Sequence, residues 1–111
     1  MFKLDLEPTF EATVRIPQPG GVKTPVRVRF NYLDADQYRD TFAEYRNKPA
    51  VEWVGRLVAG WETEDCKDEW QGMPMPYSAE ALALLATKQP RAIGALIDAY
   101  QHEVLGLPLK N

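Results

Sequence analysis

Val51-Glu-Trp-Val-Gly-Arg-Leu-Val-Ala-Gly-Trp61 is the most apolar continuous stretch of the chain, and how it is read decides the fold. Taken as a helix, Val51, Val54, Val58 and Trp61 recur at steps of three and four residues and form one stripe. Trp53 and Leu57 form a second stripe beside it, and only Glu52 and Arg56 are clearly polar. A helix that is apolar nearly all round must be covered on most sides, by its own chain or by a partner. The expectation is therefore a central helix that ends around Gly60, with the other elements packed about it. Its Trp53–Leu57 side, and Trp61 at its end, have the least obvious cover.

On the N-terminal side the period is two. Phe10, Ala12, Val14 and Ile16 alternate with Glu11, Thr13 and Arg15, and Val26, Val28, Phe30 and Tyr32 alternate with Arg27, Arg29 and Asn31. Such alternation marks strands with one face on a core and the other in water. The intervening Pro17-Gln-Pro-Gly-Gly-Val-Lys-Thr-Pro25 supplies the turn, so residues 9–32 read as a β-hairpin. Leu4 and Leu6 could begin a further edge strand, which Pro8 would interrupt. The period then changes. Asp34 and Gln37 have capping-box spacing, with Leu33 and Tyr38 placed for a hydrophobic staple. Tyr38, Phe42 and Tyr45 give the helix that follows an aromatic stripe, and Pro49 separates it from the apolar stretch.

On the C-terminal side, Glu62 to Tyr77 reads as a long connection, acidic at first and then running through Gly72 into Met73-Pro-Met-Pro-Tyr77. Alternating prolines favour an extended path. Ser78 can cap a third helix, and Pro90 can open a fourth carrying the stripe Ile93, Leu96, Ile97, Tyr100 and Val104. Gly106 is a C-cap, Pro108 blocks continuation, and residues 107–111 read as a flexible tail. The fold class is α+β in one domain: an antiparallel β-hairpin, then about four helices within residues 34–106 and a long loop at 62–77.

The totals narrow the function. A chain of 111 residues can build one core, burying about two-thirds of the surface its unfolded form exposes. Thirteen basic and sixteen acidic side chains give a net charge of -3, without the basic excess of a nucleic-acid binder. Arg15, Arg27 and Arg29 share the outward hairpin face with Glu11 and Thr13, so cross-strand pairing accounts for them. No apolar run approaches the roughly 20 residues of a membrane span, and no signal-peptide pattern is present. The single cysteine, Cys66, excludes an internal disulfide and lies among acidic residues that disfavour a thiolate. Glu64, Cys66 and Asp68 do not fit a calcium loop, since sulfur stands where oxygen is needed. His102, the only histidine, reads as a surface position beside Glu103. No convergent polar cluster suggests an enzyme, a metal or a cofactor.

What rises above this background is apolar surplus around the long loop: Trp53, Leu57, Trp61, Trp70, Met73, Met75, Tyr77 and Leu84. Either the loop folds back and covers the helix, or part of this set is a partner groove. Aromatic and methionine side chains are enriched in interface cores, and methionine repacks easily against varied surfaces.

The order of segments resembles a known family. Pro8-Thr-Phe-Glu-Ala-Thr-Val-Arg-Ile-Pro-Gln-Pro-Gly-Gly21 leads to the basic-apolar strand Val26-Arg-Val-Arg-Phe30. The Val54–Trp61 stretch follows, then Gly72-Met-Pro-Met-Pro-Tyr-Ser78 and a final helix ending shortly before Lys110-Asn111. From Thr9 to Asn111 this is similar to the tail assembly chaperones of long-tailed bacteriophages, though Trp70 beside Gly72 and the lone cysteine depart from the usual loop pattern. The resemblance implies a non-enzymatic protein of the host cytoplasm that keeps the tape-measure protein soluble and is absent from the mature virion. It also implies contact with the tail-tube protein through a frameshifted longer form, for which Leu109-Lys110-Asn111 can be encoded by a slippery adenine run. The residues leave a homo-oligomer open. A structural minor tail or connector component, or a small phage-encoded inhibitor or adaptor, is the alternative.

Overall fold

The computed structural model describes residues 4, 6–63, 73 and 75–109. Two strands, β1 (Thr9–Pro17) and β2 (Lys23–Asn31), form the expected hairpin in unbroken register from Thr9↔Asn31 to Pro17↔Lys23. The turn closes with Gln18 N–H donating to the Val22 carbonyl at 2.6 Å, and Gly20 and Gly21 take φ of 90° and 85°. Those left-handed angles strain any residue with a Cβ, which is why glycines stand there. On the covered face Val14, Ile16, Val26, Val28 and Phe30 are buried, each at 3% exposure or less. Leu4 and Leu6 form no strand and stay exposed.

The first helix, α1 (Ala35–Tyr45), opens on a complete capping box: Gln37 N–H donates to Asp34 Oδ1 at 2.9 Å, and Asp34 N–H donates to Gln37 Oε1 at 3.0 Å. Pro49 holds the N-cap of α2 (Ala50–Leu57), which is only eight residues long. Here the expectation needs correcting. The helix does not run to Gly60; at Val58 the backbone turns extended (φ -92°, ψ 127°), and Val58–Trp61 forms β3. β3 pairs antiparallel with β2 through Val28↔Trp61, Arg29↔Gly60 and Phe30↔Val58, with Ala59 as the extra residue of a bulge. The sheet thus has three strands in the order β1-β2-β3. The apparent four-residue stripe from Val51 to Trp61 is half helix and half strand.

The cause is competition for one short apolar run. Periodicity alone does not separate helix from strand over such a length. Val58 is β-branched and Gly60 is a poor helix former, so continuing the helix gains little. The far edge of β2 meanwhile offers unpaired backbone groups, and Glu62 N–H extends that ladder to the Arg27 carbonyl at 3.0 Å.

The last two helices are α3 (Ala79–Lys88), capped by Ser78 Oγ accepting from Ala81 N–H at 3.0 Å, and α4 (Pro90–Leu105), which opens on Pro90 and ends at Gly106 with φ 72°. The α4 helix lies on β1, with α2 and α3 beside it. It contributes Ala92, Ile93, Leu96, Ala99 and Tyr100 to the core.

Tyr100 ties the layers together. Its ring is fully buried against Phe30 (5.4 Å), Phe10 (5.9 Å) and Tyr38 (6.2 Å). Its hydroxyl donates to the Asn31 carbonyl at 2.8 Å and accepts from Leu33 N–H at 3.1 Å, bracing the chain where it leaves β2 for α1. Burial pushes this phenol up to about 12, only partly offset by the Leu33 hydrogen bond. The folded chain therefore favours the neutral phenol, and that contribution is complete below pH 10 and lost as pH rises toward 12. Tyr100→Phe keeps the ring but leaves the Leu33 N–H without its partner, which should cost about 1–3 kcal/mol at neutral pH. Denaturant titrations should show this deficit shrinking between pH 10 and pH 12, because only the parent protein has the phenol to lose. A deficit that stays constant across that window would contradict the assignment.

Candidate partner-binding groove

β3 fixes the site. As the last residue of β3, Trp61 is joined to a returning segment by a set of short-range clasps. The Trp61 indole N–H donates to the Met75 carbonyl at 2.8 Å, and the Thr63 hydroxyl donates to the same oxygen at 3.2 Å. Met73 N–H donates to the Glu62 carbonyl at 2.7 Å, and Thr63 and Met73 form an isolated parallel bridge. The Tyr77 ring meets Trp61 edge-on at 4.8 Å, a favoured aromatic geometry, and its hydroxyl donates to the Val58 carbonyl at 3.4 Å. Burial pushes the Tyr77 phenol up, which suits a neutral donor in that position.

These contacts hold Trp61, Met73 and Met75 along one wall of a groove of about 290 Å³. The sheet end supplies Ile16 and Val26, and α3 supplies Ala81, Leu84 and Leu85. Lys88 is the only charged side chain among the described lining residues. Met73, Ile16 and Val26 are buried at 5%, 3% and 3% exposure, so they form the floor. Leu84, at 41%, stands at the accessible rim, and Met75 is half-buried.

Of the eight residues singled out in the sequence, Trp61, Met73, Met75 and Leu84 come together in this groove, and Tyr77 buttresses it. Trp53 and Leu57 lie elsewhere, in the core at 7% and 1% exposure. The cover that the sequence left open for Trp53 comes from α1, whose Tyr38, Phe42 and Tyr45 rings stand 5.6, 5.9 and 6.2 Å from it. Trp70 lies outside the described residues, as do Cys66 and the acidic Glu64, Asp65, Asp68 and Glu69. Ile16, Val26 and Leu85 were not foreseen as lining. Alternation gave the first two a core face, and nothing in the sequence showed that the end of that face meets a groove.

Glu11 and Arg29 are register partners and form an exposed ion pair at 3.5 Å, as cross-strand pairing anticipates. His102 Nδ1 lies 2.8 Å from the Leu107 carbonyl, at the end of α4. Among the described residues there is no group of three His, Cys, Asp or Glu side chains able to hold a metal ion, and no helix long and apolar enough to cross a membrane.

The groove beside the hairpin is thus lined mainly by apolar side chains. The family model described as phage tail assembly chaperone matches residues 1–111. The chain belongs to the phage tail assembly chaperone family. Neither a curated protein nor a solved structure matches it. For this tail assembly chaperone the clasp at Trp61 is the element on which the groove wall depends. Trp61→Phe keeps a ring against Tyr77 but removes the indole donor to Met75, and should lower stability by about 1 kcal/mol in denaturant titration. An unchanged midpoint would mean that the clasp contributes nothing to the fold.

Proposed function

We propose that this tail assembly chaperone binds the tape-measure protein through the groove between Trp61, Met75 and α3, and keeps it soluble during tail assembly. The observation that carries this reading is the groove itself, with an apolar floor of Ile16, Val26 and Met73 and a mixed rim of Met75 and Leu84 with Gln18, Thr24, Gln89 and one cation, Lys88. An amphipathic client helix can lay its apolar stripe against such a surface, with Leu84 and Met75 as the accessible contacts. Methionine side chains have flexible, polarisable thioethers and accommodate successive stripes that differ in shape. Repeated use along one long helical client asks for that kind of tolerance. The role is non-enzymatic and belongs to the host cytoplasm before the tail is complete, with the chaperone absent from the mature virion. Contact with the tail-tube protein through a frameshifted longer form extends the same role.

The burial of Met73 decides how to test this, because an aspartate there would break the floor rather than probe binding. Met75→Asp combined with Leu84→Asp acts on the half-buried and exposed rim instead. Co-expression of this variant with the tape-measure protein should move the client into the insoluble fraction. Affinity for a client-derived helix should fall at least about tenfold, or about 1.4 kcal/mol. Circular dichroism and the thermal midpoint of the variant should stay near those of the parent. Unchanged binding by a folded variant would refute the groove assignment.

A further inference from the structure

A second surface lies outside the groove, along the outer edge of β1, which pairs with no further strand among the described residues. The hydrogen bonds Tyr32 N–H to Pro8 O (2.8 Å) and Gln18 N–H to Val22 O (2.6 Å) frame the β1–β2 ladder at its two ends. They fix its phase: even-numbered residues from Pro8 to Gln18 bond to β2, and the backbone groups of Thr9, Glu11, Thr13 and Arg15 point away from it. Pro25, which lacks an N–H, stands opposite Arg15 in a pair that exchanges no such bonds, as this phase requires. β1 is the edge of the sheet and runs for nine residues with no proline before Pro17. A long edge with unpaired donors and acceptors is a template for another strand.

The side chains on that edge are self-complementary. If a second β1 pairs antiparallel about Thr13, Thr13 meets its own copy in a hydrogen-bonded pair, and Glu11 faces the second copy's Arg15 on both sides of the axis. Shifting the axis to Glu11 or to Arg15 places like charges opposite each other, and shifting it to Ala12 or Val14 leaves both charges facing uncharged residues, so the Thr13 register alone pairs opposite charges without a like-charge clash. Beneath this edge, α4 repeats the pattern. A hollow of about 420 Å³ has Thr13 and Arg15 of β1 and Arg91, Gly94, Ala95 and Asp98 of α4 among its lining, with Lys23 of β2 and Leu109 beyond α4 at its margin. Two antiparallel α4 helices meeting at Gly94 and Ala95 bring each Arg91 to the other copy's Asp98, and neither side chain forms an ion pair among the described residues. A Cβ on Gly94 would meet nothing within 4 Å in the single chain. Glycine inside a helix costs about 1 kcal/mol relative to alanine, and no packing within the chain repays it.

We infer that two copies of this chain associate through antiparallel β1–β1 pairing about Thr13, giving a continuous six-stranded sheet with α4 packed against α4 beneath it. The dimer would carry two client grooves on one body, which raises its hold on a long client without new contacts.

Sedimentation equilibrium or light scattering of the full chain tests this. The parent protein should show a concentration-dependent dimer at twice the 12.6 kDa chain mass. Arg15→Glu puts like charges opposite each other twice and should weaken the dimer roughly tenfold. The double variant Glu11→Arg with Arg15→Glu restores the complementarity across the seam, at the cost of the exposed Glu11–Arg29 pair within each chain, and should recover most of the dimer. Thr13→Pro removes an outward N–H without touching the ladder to β2, and should leave a folded monomer. Gly94→Leu enters open space in the single chain, so it should abolish the dimer while leaving the monomer's thermal midpoint unchanged or higher. A parent protein that is monomeric throughout, a dimer that survives Gly94→Leu, or a double charge variant no better than Arg15→Glu would each overturn the proposal.

Discussion

The pairing of Val58–Trp61 with the outer edge of β2 is the interaction on which the rest of the arrangement depends. It stops α2 at Leu57, so that Trp53, Val54 and Leu57 turn inward as a short helix instead of continuing as a longer apolar rod. It satisfies backbone groups of β2 that would otherwise form an open edge. It also sets Trp61 beside the returning Met73 and Met75, where the indole N–H and the Glu62 carbonyl find their partners. Without β3 there would be no groove wall. The bulge at Ala59 belongs to the same event, since an extra residue bends the strand where it leaves the helix.

A good part of this was legible in the residues. The hairpin and its register follow from strict alternation, because a slip of one residue would turn Val14, Ile16, Val26, Val28 and Phe30 into water. The capping box at Asp34, the Ser78 cap, Pro90 and Gly106 acted locally and mark boundaries that the structure keeps. The helix–strand switch at Val58 was not legible, because its cause is a distant edge. Four residues of Val-Ala-Gly-Trp carry too little pattern to announce a strand. The site was legible in composition and only partly in arrangement. Trp61, Met73, Met75 and Leu84 do converge, whereas Trp53 looked uncovered only because the aromatic stripe of α1 could not be placed against it from sequence alone.

The aromatic core and the groove lie at opposite ends of the sheet. Tyr100, its ring packed among Phe10, Phe30 and Tyr38 and its hydroxyl braced on the backbone at Asn31 and Leu33, ties the sheet to α4 and α1. At the other end of the sheet, methionine and leucine side chains line the groove. Belonging to the tail assembly chaperone family gives that groove its context.

The proposed client site is the groove of Trp61, Met75 and α3. Hydrogen–deuterium exchange of the chaperone, alone and with soluble tape-measure fragments, tests it most directly. New protection is expected within residues 75–88 and at the sheet end around Ile16 and Val26, with α1 and the Trp53 side of α2 unchanged. Protection confined to α1 and α2, with the groove exchanging as in the free protein, would contradict it.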